Sequence, residues 1–304
     1  MSEPSRYGTS SGVEAAIKEA ARKAYKDDPS VSVHERIRQA YFDRFLCRIF
    51  SEGGASEWVL KGGTGLLARV PSSRATKDID LYLSGFTLEQ ALEDLKRLAS
   101  IDIDDFFRFV YIRHSDTLAA DVQTYTDGYR VVFDSYIGVK KSTPVHVDLA
   151  VGAGVTDTVR VKAPANRLNL PRLSTHDYRL YPIADQIADK VCATMTIYPT
   201  GPSGREKDLV DLIVIANTHD VDARTLRRAI LTEARRRRGL DSFDSFVVPG
   251  AWGPAYAQMV RPIPQCVNYR TIDDAKVLVG RFLDPVLGNR NFVGRWDHVL
   301  RTWR

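Results

Sequence analysis

No part of this 304-residue chain restricts its fold as tightly as residues 61–83, KGGTGLLARVPSSRATKDIDLYL. The stretch ends in a strand-like run in which successive side chains alternate between faces. Ile79, Leu81 and Leu83 take the face that seeks a core. Asp78 and Asp80 are left together on the other face, about 7 Å apart along the backbone. Two such carboxylates repel unless a cation lies between them. Upstream, Gly62 and Gly63 follow Lys61 and let the backbone approach a triphosphate closely, and the short helix TGLLARV offers free N–H groups at its start. Arg74, Thr76 and Lys77 precede the aspartates and can add phosphate contacts. A solvated D-x-D edge and a plain glycine turn are the ordinary readings of either motif alone. Glycine pair, short helix and D-x-D strand, in that order, are far more specific.

A later strand-like segment, VHVDLAV, supplies a third carboxylate, Asp148, flanked by apolar alternation. On adjacent strands Asp78, Asp80 and Asp148 would form the kind of cluster that suits two-metal phosphoryl chemistry, with cations about 4 Å apart.

The surrounding pattern is α/β, of the α+β kind. Residues 1–54 read as N-terminal helices and residues 55–178 as a core with a mixed sheet. Residues 179–304 read as a mainly helical part, opened by PIADQIADKVCATM, REKDLVDLIVIA and ARTLRRAILTEARRRRGL. Thr87 is positioned to cap the helix that follows the D-x-D strand. No apolar run approaches the roughly 18 residues of a membrane span, and the polar N-terminus lacks an apolar signal core, so a cytoplasmic protein is expected. Cys47, Cys192 and Cys266 make neither a disulfide framework nor a zinc site. Charge is uneven: residues 151–304 carry 23 Lys and Arg against 16 Asp and Glu, the first 150 residues 20 against 22. A basic second half suggests a polyanionic partner.

Helical phase sharpens that half. In PIADQIADKVCATM, Ile183, Ile187 and Val191 form an inward stripe with Lys190 beside it, while Asp185 and Asp189 fall opposite. A lysine there either snorkels to solvent or meets an anion. Asp208 and Asp211 share a face of a helix that is apolar nearly all round, so they need partners, with Lys190, Arg205 and Lys207 available. The result is a structural salt-bridge network or a functional site. Arg224, Arg227, Arg228, Arg235 and Arg238 fall within about 100° of arc on one helix, interrupted by Leu231. That face is either solvated or grips a nucleic-acid backbone.

The set LKGGTGLLAR…RATKDIDLYL, followed by DKV and REKDLVDL, resembles the AbiEii/MenT family of nucleotidyltransferase toxins over roughly residues 55–220. The resemblance implies a polymerase-β-like nucleotidyltransferase core, a helical C-terminal part and a cognate antitoxin. It further implies a Mg²⁺-dependent enzyme that adds nucleotides, pyrimidines in particular, from an NTP (CTP or another) to the 3′ acceptor end of tRNA, which blocks aminoacylation and translation. Nucleotidyl or phosphoryl transfer to a protein or small-molecule hydroxyl is the alternative. By the resemblance Asp78 and Asp80 are the metal-binding pair, and Asp148 stands at the third-carboxylate position. Lys190 contacts the nucleotide, and Asp208 and Asp211 form the late acidic motif, with the choice between them open. Gly62, Gly63 and Thr64 stand where many nucleotidyltransferases carry Gly-Ser, so the usual serine contact to phosphate is altered.

Overall fold

The computed structural model describes residues 6–115, 128–196, 205–237, 240, 243–249 and 252–304. Two helices come first, α1 (Ser10–Asp27) and α2 (Val33–Ile49). The glycine-rich stretch folds as strand β1 (Val59–Lys61), helix α3 (Gly62–Leu67) and strand β2 (Ile79–Ser84). Helix α4 (Leu88–Ala99) follows, and then strands β3 (Phe107–Ser115), β4 (Gly128–Ile137), β5 (Lys140–Lys141), β6 (Val145–Gly152), β7 (Arg160–Lys162) and β8 (Tyr178–Leu180). The second half holds α5 (Ile183–Met195), α6 (Glu206–Ala216), β9 (Val221–Asp222), α7 (Ala223–Arg236), α8 (Pro254–Val260) and α9 (Ile272–Gly288). It closes with β10 (Arg295–Asp297) and β11 (Thr302–Trp303), which join β9 in a small three-stranded sheet.

The large sheet runs β3-β4-β6-β2-β1-β8-β7, with β5 paired to β4. It is mixed: β2 lies parallel to β6 and β1 parallel to β8, while β1–β2, β4–β6 and β3–β4 are antiparallel. The alternation in β2 does what it predicts. Ile79, Leu81 and Leu83 are buried with Leu60, Val147 and Leu149 in a core shared with α1, α2 and α4. Burying each such aliphatic side chain stabilises the fold by about 1.5–3 kcal/mol. The opposite face of the sheet carries Tyr82, Val59 and Ala150 against Tyr181. Helix α4 starts as expected, with the Thr87 hydroxyl accepting from the Gln90 N–H at 3.3 Å and the Gln90 side chain accepting from the Thr87 N–H at 2.9 Å. This reciprocal pair satisfies two donors at the helix start.

A second apolar core lies among α5, α6, α7, α8 and α9, around residues such as Leu212, Ile215, Leu226 and Phe282. Leu66 and Val70, from α3 and the turn after it, belong to this second core and not the first. The glycine-rich segment therefore stitches the two halves together.

Candidate active site

Four strands bring four charged residues into one row across the sheet. Lys61 on β1 stands opposite Asp80 on β2, Asp80 is in register with Asp148 on β6, and Asp148 with Arg130 on β4. The charges alternate only at the ends, so two like charges are neighbours at the centre, one strand spacing (about 4.8 Å) apart. Arg130 takes up Asp148 in a bidentate pair, Nε to Oδ1 at 2.8 Å and Nη2 to Oδ2 at 2.9 Å. Lys61 turns aside to Asp189 of α5 at 3.2 Å, between the rings of Tyr82 and Tyr181 at 5.8 and 5.3 Å.

Asp80 is left without a hydrogen bond or ion pair among the described residues. Burial, reinforced by Asp148 and opposed by Lys61, Lys190 and Arg74, pushes its carboxyl up to about 6. Asp78 lies just before the first residue of β2, and its carboxylate is likewise unpartnered among the described residues. Its backbone carbonyl is held twice, by the Thr64 hydroxyl at 2.8 Å and the Thr76 hydroxyl at 3.2 Å. Thr76, expected at phosphate, and Thr64, at the altered Gly-Ser position, thus fix the chain that carries the two aspartates. Lys77 is exposed.

Gly62 is required by geometry. Its φ is +60°, and a Cβ there would sit 2.1 Å from Asp80 Oδ2. A Cβ on Gly63 would press on Thr76 at 3.2 Å and on Arg74 at 3.3 Å. Helix α3 begins at Gly62 itself, two residues earlier than the sequence pattern suggests, and Gln186 of α5 donates to the Gly62 carbonyl at 3.0 Å.

The helical half meets this surface through a compact ionic cluster. Lys190 is buried and donates to Asp211 at 2.5 Å and Asp208 at 3.2 Å. Arg74 forks onto Asp211, Nε to Oδ1 at 2.8 Å and Nη2 to Oδ2 at 2.9 Å, and Arg205 reaches Asp208 at 2.6 Å. Burial opposes the charge on Lys190, but Asp211 and Asp208 outweigh it and raise its pKa. Burial likewise opposes ionisation of Asp208, yet Lys190, Arg205 and Lys207 bring its carboxyl down to about 2. Of the three candidate partners for the late acidic pair, Lys190 and Arg205 make contact, while Lys207 is exposed and acts only through space. Arg74, expected as a phosphate contact, is a further partner of this pair that no local pattern shows, since Asp211 lies 137 residues away.

Helical phase leaves one feature of α5 untold. Asp185, placed opposite the inward stripe, is buried and accepts from the Thr156 N–H at 2.7 Å and the Asp157 N–H at 3.1 Å. Helix α5 is covered on that side too, by the loop after β6. Among the described residues no group of three or more His, Cys, Asp or Glu side chains is placed to hold a metal. Asp148 is drawn instead to Arg130. Asp78 and Asp80 nonetheless fit a hard divalent cation, because both are unpartnered oxygen donors and one or two carboxylates, completed by substrate phosphates and water, are what Mg²⁺ commonly takes.

A family model described as "Nucleotidyl transferase AbiEii toxin, Type IV TA system" matches residues 44–276. The solved structure of MenT4, a nucleotidyltransferase toxin from Mycobacterium tuberculosis H37Rv, is similar over 90% of this chain and 90% of that one, with a TM-score of 0.57 at 15% identity. That likeness bears on the fold, a nucleotidyltransferase fold of MenT type. JHP933 from Helicobacter pylori, at 17% identity over 65% of this chain and 72% of that one, has a TM-score of 0.37, too low to inform it. No curated protein matches the sequence.

Proposed function

This chain belongs to the AbiEii family of nucleotidyltransferase toxins, and from that premise we propose that it transfers nucleotides from an NTP to the 3′ end of tRNA with Mg²⁺. The family is one of type IV toxin–antitoxin systems, which implies an antitoxin partner. No helix among the described residues is long and apolar enough to cross a membrane.

The observation that carries the reading is the unpartnered pair Asp78 and Asp80, set against a left-handed glycine and facing a cationic cluster. Asp78 and Asp80 would hold the cation. When bound, it supplies charge neutralisation at the α-phosphate and a lowered pKa for the attacking 3′-hydroxyl. The rest falls to the chain. Gly62 leaves room beside Asp80, and Thr64 and Thr76 fix the backbone at Asp78. Arg74, Lys190 and Arg205 outnumber Asp208 and Asp211 by one positive charge, so the cluster presents a net cationic wall towards Asp80. Such a preorganised field favours the triphosphate and the charge that develops on it. Asp211, which engages both Arg74 and Lys190, acts in this reading by holding those two cations in place. Pyrimidine preference, with CTP as the first NTP to try, remains part of the proposal.

The test is transfer of label from α-labelled NTP to total tRNA in Mg²⁺. Asp80→Ala and Asp78→Ala should abolish it with the fold retained, and chelation should silence the native protein. Full activity in either variant removes the metal-site assignment.

A further inference from the structure

Helix α7 turns its apolar side, with Leu226, Ala229 and Ile230, into the second core, where the Ile230 carbonyl lies 3.8 Å from Cys192 Sγ of α5. Its outer side lines an open groove of about 650 Å³, completed by residues 290–293 after α9. Arg224, Arg227, Arg228, Arg235 and Arg290 line it together with Phe292, and no carboxylate is among its lining residues. Arg238, placed on this strip by helical phase, lies outside the described residues.

Two of the five guanidinium groups are locked in place. Arg227 donates to the carbonyls of Val286 at 2.5 Å and Asn289 at 3.1 Å, and Arg228 to that of Thr156 at 3.2 Å. Carbonyls orient a guanidinium without cancelling its charge. Arg224, Arg235 and Arg290 are exposed and make no hydrogen bond or ion pair among the described residues. The placement works against local stability. Three of the arginines occupy the first two turns of α7, where no acidic residue balances them within the first turn and cations oppose the helix dipole. Arg224 and Arg228, four residues apart, also repel each other. The N-cap Asp222 lies near Arg224 and is the acid that offsets its charge in part. Carbonyl contacts hold Arg227 and Arg228 but leave the like charges of the strip unneutralised, and an excess of positive charge placed against the helix dipole points to an anionic ligand.

We propose that this groove is a second anion site that docks the phosphodiester backbone of the RNA acceptor, on the side of α7 away from Lys190. The strip from Arg224 to Arg235 is about 16 Å long, which spans several phosphates of a strand and is more than a single anion needs. Guanidinium forks match phosphate oxygens bidentately, and the half-buried Phe292 ring, braced edge-on against Trp303 at 5.3 Å, offers an apolar face beside them. The contacts carry no base preference, because phosphate contacts position a nucleic acid without reading it. The inference rests on the reading that the acceptor is RNA.

The experiment uses the full chain with Arg224→Gln, Arg235→Gln and Arg290→Gln combined, three exposed positions whose loss leaves the packing intact. Binding of tRNA is measured without NTP across a range of salt, and transfer is measured separately. The variant should bind roughly tenfold or more weakly at low salt, with the slope of log affinity against log salt reduced by about two to three. Its KM for NTP should stay unchanged, and the matching Arg→Lys variant should keep the native slope. Equal affinity and equal slope in the Gln variant overturn the groove, even where the native protein labels tRNA. A native protein that binds tRNA through these arginines yet transfers no nucleotide leaves the groove standing and removes the functional reading. Capture of an acidic protein with RNA binding untouched also counts against the proposal.

Discussion

Asp211→Asn tests the tether between the two halves of the molecule. Asp211 is fully buried and accepts three charge-assisted hydrogen bonds, two from Arg74 and one from Lys190. An asparagine of the same shape keeps at most two of them, because its amide nitrogen must face either Arg74 Nε or the donors at the other oxygen. The cluster of Arg74, Lys190, Arg205, Asp208 and Asp211 rises by one positive charge at the same time. Removing one partner of a buried ion pair typically costs about 3–5 kcal/mol. The lower end applies here, about 3 kcal/mol, because Lys190 keeps Asp208 at 3.2 Å and the Arg74 side chain is 18% exposed. For a chain of 304 residues, at about 2.1 cal/mol/K of unfolding entropy per residue, that corresponds to a fall in Tm of roughly 5 °C. Calorimetry of native and variant protein reads it directly. The triple variant Arg74→Met/Lys190→Met/Asp211→Leu should recover part of the loss, since it removes the buried acid together with both of its cations and leaves Asp208 on Arg205. A Tm within 2 °C or so of native, against the scale of that size correction, would refute the reasoning. Native Tm with lost transfer would assign Asp211 to the substrate and not to Arg74 and Lys190.

Two further outcomes follow from the same geometry. Burial and Asp148 raise the Asp80 carboxyl to about 6, so the folded, metal-free protein binds its proton more tightly than the unfolded chain does. Asp80 therefore costs stability above pH 6, and that cost fades as pH falls from 6 towards 4; with chelator present, Asp80→Asn should raise the Tm at pH 7.5, a gain that vanishes near pH 4 and that added Mg²⁺ diminishes by stabilising only the native protein. Gly62→Ala should lower transfer far more than it lowers the far-UV signal, because its Cβ would collide with the Asp80 carboxylate and its φ of +60° strains any other residue by about 1–2 kcal/mol; native kinetics in this variant would mean that Asp80 moves freely without consequence.

Much of the site was legible because its signals are local. Alternation over six residues gave the buried face of β2 and left Asp80 on the other. Helical phase set Lys190 beside the inner stripe of α5, and the structure buries it on Asp208 and Asp211. What escaped was pairing across the chain. Arg130 meets Asp148 because β4 flanks β6, and Lys61 faces Asp80 because β1 returns antiparallel to β2, a strand order that no short window encodes. Arg74 reaches Asp211 across the junction of the two cores. The burial of Asp185 escaped for a related reason: the phase of one helix says which side is apolar, and it is silent on a loop that covers the polar side. Arg227 reads as one more surface charge, yet it binds the carbonyls at the end of α9.

The central claim is that Asp78 and Asp80 direct attack at the α-phosphate, so that a nucleotide and not a phosphate is transferred. The direct measurement is a pair of parallel reactions of purified chain, tRNA and Mg²⁺, one with α-labelled and one with γ-labelled NTP, with the RNA resolved by length. The account predicts label and added length on tRNA from the α position only, with γ-label released as pyrophosphate. Label reaching any acceptor from the γ position, or α-label on protein with tRNA unchanged, would contradict it.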